Sequence, residues 1–256
     1  MAKLNNDFFN LKGCFISALV FFLTACAATD GRDKEKRGTE VQLYIDLGLR
    51  YLEMGDYRVA LTKLKKAHAV DDENFSSHNA LAIFFDTTGK KELAVSHYKR
   101  ALSLAPDNPR VLNNYGRFLC QHGDIDNGFE MLIKAAKLPL NNRSWLSYSN
   151  AGRCQLIKGN QRLAEKNFLQ AIAQNNSFAP ALFELATLNY ARQEFLSARN
   201  YIEQFITVNS ETAASVLLAY KIERQLGRLT VAEHYHQILK KNFPASRETQ
   251  SLVNKE

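Results

Sequence analysis

Four cysteines and six histidines are the residues of this chain with the widest chemical reach, and their spacing decides what they can do. His234 and His236 stand two apart on a segment that reads as helix, so they point to different sides and cannot share a metal as an i, i+4 pair could. With His68, His78, His97 and His122, they read as surface or packing groups. No HExxH zinc motif and no GxSxG nucleophile elbow occurs. The nearest approach to a phosphate loop, DTTGKKE at Asp86 to Glu92, lacks the earlier glycine and the hydroxyl after lysine. No catalytic residue, metal site, cofactor or small-molecule substrate is expected, so the chain reads as a non-enzyme. Of the cysteines, Cys14 and Cys26 fall at the apolar N-terminal end, leaving Cys120 and Cys154, which are 34 residues apart.

That spacing belongs to a frame that runs through most of the chain. Small residues at Gly48, Ala82, Gly116, Gly152 and Ala186 are joined by Tyr220 in a column with separations of 34, 34, 36, 34 and 34. A second column, Ala60, Ala94, Gly128, Ala164, Ala198 and Ala232, keeps the same steps. So does a third: Gly55, Gly89, Gly123, Gly159, Gln193 and Gly227. Thirty-four residues is the period of the tetratricopeptide repeat, a helix-turn-helix unit whose small residues let helix A approach helix B. The third column fits the end of helix A, where a left-handed residue closes the helix. Five prolines in 256 residues leave helix as the favoured state. The expected fold is all-α, a right-handed superhelical solenoid of six repeats at 41–74, 75–108, 109–144, 145–178, 179–212 and 213–244, with 245–256 as a polar cap or tail. Repeat three runs two residues long, so a longer loop is expected at 139–144. Tyr220 and His236 loosen the pattern in repeat six.

In this frame Cys120 and Cys154 lie on helix A of repeats three and four, their heights differing by about half a turn, roughly 3 Å. Neighbouring A helices lie about 8–10 Å apart, so inward-pointing side chains can meet. A structural disulfide is expected; two small buried thiols are the alternative. Helix A should also line the concave face, with repeat positions 2, 5, 9 and 12 directed into a groove. The expected lining includes Ile45, Leu49, Leu52, Asn79, Ile83, Asn113, Arg117 and Arg153. Ile45 and Leu49 stand where chaperone-binding repeats carry the Lys and Asn of a carboxylate clamp, so clamping there is not expected. An apolar groove flanked by Asn and Arg suits an amphipathic helix or apolar strand of a protein partner.

The N-terminal end explains the remaining cysteine. The apolar run from Cys14 to Leu23 spans ten residues, about half of what a membrane-crossing helix needs, and reads as part of a signal peptide at 1–25. Leu23-Thr24-Ala25-Cys26 resembles the lipobox of bacterial lipoproteins, which implies cleavage before Cys26 and acylation of that residue. Two or more acyl chains hold a protein stably at a bilayer. Ala27, not Asp, follows the cysteine, and the resemblance then implies release to the outer membrane. Residues 26–40, rich in both charges, read as a solvated polar tether, with an exposed first helical turn as the equal alternative for the last few of them. The net charge of +7 is explained by scattered surface Lys and Arg. An exported chain with no aromatic-basic recognition signature is not expected to bind nucleic acid.

Finally, NNYGRFLCQHGD, YSNAGRCQLIKGN, ALFELATLNYARQEFLSARNYIEQF and FPASRE together resemble the outer-membrane lipoproteins of type IV pilus biogenesis, the PilF/PilW family. The resemblance spans nearly all of the chain after Cys26; PLNNRS departs from the aromatic-containing loop of the family. It implies a pilotin, a lipid-anchored adaptor with its domain in the periplasm, which binds secretin subunits in its groove and promotes their localisation and multimerisation in the outer membrane. A general envelope scaffold serving β-barrel assembly or peptidoglycan enzymes would carry the same lipobox and repeats.

Overall fold

The computed structural model describes residues 34–253. The signal peptide, Cys14, the lipidation residue Cys26 and the start of the tether lie outside the described residues. The chain divides into two compact units, the first ending at Leu104 and the second starting at Ala105.

The first unit contains α1 (34–53), α2 (Tyr57–Val70), α3 (Phe75–Thr87) and α4 (Lys91–Leu104). Residues 34–40, expected above as tether, are exposed but helical. Glu35, Lys36, Arg37 and Glu40 are strong helix formers, and Thr39 returns its hydroxyl to the Glu35 carbonyl at 2.9 Å. The charges keep the segment in water without unwinding it. Further along α1, Val41, Ile45, Gly48 and Leu52 form a stripe at helical spacing that is buried throughout. A Cβ on Gly48 would lie 2.5 Å from the Leu64 side chain of α2, so the small residue is what lets the two helices close.

The second unit repeats this hairpin four times. It comprises α5 (Pro109–Gln121), α6 (Ile125–Lys137), α7 (Ser144–Ile157), α8 (Gln161–Gln174), α9 (Ala179–Ala191), α10 (Phe195–Val208), α11 (Ala213–Gln225) and α12 (Leu229–Asn242), followed by α13 (Arg247–Val253). At the α5–α6 crossing two glycines bring the backbones themselves together. A Cβ on Gly116 would sit 2.8 Å from the Gly128 carbonyl oxygen, and one on Gly128 would sit 2.6 Å from that of Gly116. Leu182, Leu185, Phe168, Ile202 and Ile222 fill the layers farther along. The last crossing is looser, as Tyr220 predicts: its ring packs on that of His236 at 5.7 Å between centroids instead of admitting the opposing backbone. At the end, Thr249 of α13 is buried and donates to the Phe243 carbonyl at 2.8 Å.

Five of the six turns between helix A and helix B close with two bonds. The residue in the third column bonds back three residues and the next residue bonds back five: Gly55 N–H to Leu52 and Asp56 N–H to Tyr51 in the first repeat, Gln193 N–H to Tyr190 and Glu194 N–H to Asn189 in the fifth; the third repeat keeps the longer bond, Asp124 N–H to Leu119. This is the Schellman closure, and it requires a left-handed residue. The five glycines have φ between 72° and 97°, and Gln193 has φ 63°. The register imposes the conformation even where glycine is missing.

Candidate functional site

In the second unit, α5, α7 and α9 present their exposed positions side by side. Cys120 of α5 and Cys154 of α7 are joined as a disulfide, with Cα atoms 5.4 Å apart. The bond is buried against Leu132 and Ala151, with Ile125, Phe129 and Ile133 around it. Gly128 is needed beside it, since a Cβ there would come within 2.6 Å of the Cys120 sulfur. Above the disulfide lies a cavity of about 320 Å³ lined by Arg117, Gln121, Asn150, Arg153, Leu156 and Ile157, with both cysteines at its base. Ile157 is 56% exposed, so the rim is apolar at one end and basic at the other. Asn150 donates its amide to Asn113 Oδ1 at 3.0 Å, and Arg153 Nε pairs with Glu184 of α9 at 3.0 Å. A ladder of polar contacts thus crosses three consecutive A helices.

The expected groove residues divide by depth. Arg117 and Arg153 line the cavity. Asn113 belongs to the ladder but is itself buried. In the first unit, Ile45, Leu52 and Asn79 are buried, at 4%, 8% and 5% exposure, and only Leu49 and Ile83 reach the surface in part. Ile45 and Leu52 are therefore core residues of the first repeat, a correction to the expected apolar groove. Repeat positions 5 and 12 continue the stripe that packs helix A inward, whereas position 9 turns outward. Nothing in residue type distinguishes the two roles for an isoleucine.

Two groups of charged or titratable residues escaped the sequence reading. In the first unit, His68, His78 and His97 come together from α2, α3 and α4 with ring centroids 4.8–6.3 Å apart. His78 Nε2 bonds to the Asp72 carbonyl at 2.9 Å, and its Nδ1 faces that of His97 at 3.0 Å. A backbone carbonyl can only accept, so His78 is protonated at Nε2 and accepts at Nδ1 from His97. Both nitrogens of His78 are thereby used, and among the described residues no group of His, Cys, Asp or Glu is arranged to hold a metal. Burial lowers the pKa of His78 and pushes that of His97 down to about 4, with neighbouring histidines adding to both. In the second unit Glu223, 3% exposed, receives Arg199 of α10 and Arg228, the residue just before α12, at 2.9 and 3.3 Å, and Arg192 forks onto Glu165. The Arg192 hydrogen bonds hold the Glu165 carboxyl below its usual range. The Arg199–Glu223 and Arg192–Glu165 pairs join successive hairpins, while Arg228–Glu223 ties the two helices of the last one; all read as structural clips.

Comparison with known proteins agrees with this architecture. Tetratricopeptide repeat models match residues 45–109 and 97–128. The type IV pilus assembly protein PilF of Pseudomonas aeruginosa is 30% identical over 244 residues, covering 92% of this chain and 97% of that protein. The chain belongs to the PilF family of tetratricopeptide repeat proteins. A solved structure of P. aeruginosa PilF superimposes with a TM-score of 0.74 at 29% identity, covering 86% of this chain and all of that one. The structure of PilW, described as a widely conserved type IV pilus biogenesis factor, gives a TM-score of 0.74 at 27% identity, with 83% and 98% covered. Membership in the PilF family thus extends over all the hairpins and is not confined to the two stretches matched by the repeat models. No helix among the described residues is long and apolar enough to cross a membrane.

Proposed function

We propose that this protein is a type IV pilus biogenesis adaptor of the pilotin kind. It binds secretin subunits and promotes their outer-membrane localisation and multimerisation while held to the bilayer by acyl chains on Cys26. The near full-length match to P. aeruginosa PilF, at 30% identity, carries the reading. Support from the fold is that a repeat stack offers an extended side-chain surface, and that the cavity over the Cys120–Cys154 bond combines an apolar rim with two arginines. Such a rim suits an amphipathic segment of a client better than the first repeat does, whose Ile45 and Leu52 are buried.

Deletion of the gene tests the reading. Secretin should then persist as monomer away from the outer membrane, and Arg117→Asp with Arg153→Asp should reduce secretin co-purification while leaving the protein folded. Normal secretin multimers and normal pili in the deletion strain would sink the pilotin reading and favour a general envelope scaffold.

A further inference from the structure

A second cavity in the second unit, of about 280 Å³, opens where α5 and α7 begin and is separate from the one above the disulfide. Arg110 and Arg143 stand on its wall, and no acidic residue lines it. Neither arginine has an ion-pair partner among the described residues. Asp107, just before α5, is already taken by Lys134 at 2.8 Å. Two arginines thus line one concavity with no acidic residue on its wall to neutralise them.

Side chains inside the cavity point to an anion as well. Ser147, 2% exposed, lines it, and its hydroxyl makes no hydrogen bond to any described residue. The hydroxyl is not sealed in the core but open to the cavity, so it is free to donate to whatever occupies that space. The start of α7 is also open: its N-cap is Arg143, which makes no side-chain cap bond, whereas Asn108 caps α5 through the Arg110 and Val111 amides. The positive end of α7 is therefore available at this wall and that of α5 is not.

We infer that this cavity binds a carboxylate carried by an extended acidic segment of a protein partner, with Arg110 and Arg143 taking the carboxylate and Ser147 donating to it. Asn142 favours a peptide over a free inorganic anion. It also lines the site, its side chain bonded to no described residue, and an amide side chain donates and accepts together, which matches a peptide group, whereas phosphate uses only the donor half. The site is independent of the pilotin reading, since any partner with such a segment would fit it.

The test uses the full-length chain and a fluorescein-labelled Gly-Ser peptide bearing three aspartates, compared with its asparagine counterpart. Trp145, the sole tryptophan, precedes the cavity residue Leu146 and reports locally. The aspartate peptide should bind saturably with a change in Trp145 fluorescence, and the asparagine peptide should not. Ser147→Ala should weaken binding about tenfold, as loss of a hydrogen bond to a charged group does. Arg110→Glu with Arg143→Glu should weaken it at least about a hundredfold with unchanged circular dichroism. Equal binding of the asparagine peptide, or retention in the arginine variant, overturns the proposal. Arginine dependence without any effect of Ser147→Ala reduces it to surface charge and overturns the built site. Displacement by inorganic phosphate at lower concentration than by acetate overturns the carboxylate assignment.

Discussion

Gln193 holds a position that glycine holds in the other five repeats, and replacing it by glycine should stabilise the protein. Its φ of 63° puts Cβ too close to the following carbonyl, which costs a non-glycine residue about 1–2 kcal/mol. Glycine gives back about 0.5–1 kcal/mol through the greater freedom of the unfolded chain. Gln193 is exposed, so little packing is lost, and the expected net gain is about 0.5–1 kcal/mol. The same arithmetic run backwards applies to Gly159, whose φ is 81° and around which a Cβ would meet nothing within 4 Å; Gly159→Gln should cost that amount. Urea unfolding followed by far-UV circular dichroism measures both, and amide exchange should locate the gain in α9 and α10, since repeat stability is nearly local. Gln193→Ala is the control, because alanine carries the same Cβ and should be nearly neutral. Stabilisation by alanine equal to that by glycine would refute the reasoning, because the side chain and not the backbone would then be the cause.

Two further outcomes follow from the same structure. Removing the disulfide by Cys120→Ala with Cys154→Ala frees a loop of 34 residues, and by chain entropy should cost about 3–4 kcal/mol; parallel unfolding of the parent with and without reductant checks it. In the first unit, acid should be destabilising. His97 and His78 have folded pKa values below the unfolded 6.5, so the unfolded chain takes up protons first as pH falls. The stability they contribute is present above about pH 6.5 and is lost as pH falls toward 4. Arg100 adds to this by repelling a charged His78, while Asp72 opposes it. His97→Gln should flatten the decline in thermal stability between pH 7 and 5, and an unchanged slope would reject the cluster as its source.

The repeat frame was legible because close helix crossings and left-handed turns admit few residue types, so Gly116, Gly128 and the glycine column mark the geometry directly. The pairing of Cys120 with Cys154 followed from that register. Depth within a helix face was not legible: an apolar residue at position 5 looks alike whether it lines a groove or, as Ile45 does, joins the core. The histidine cluster was hidden because its members come from three helices with no shared repeat position. The helical state of residues 34–40 was obscured because mixed charge describes both a solvated coil and the exposed start of a helix. Ser147 was equally silent, since only the structure places its unpaired hydroxyl on a cavity wall.

The covalent bond between α5 and α7 has a mechanical consequence. A stack of hairpins bends by small slips at each interface between neighbours, like a spring whose compliance is shared among its coils. In the second unit one interface is pinned, at Cys120 and Cys154, whereas α8 with α9 and α10 with α11 meet through side chains alone. Bending of this unit is therefore displaced toward its C-terminal hairpins, and the cavity between Arg117 and Arg153 keeps a fixed gauge while the rest of the stack yields to whatever it holds.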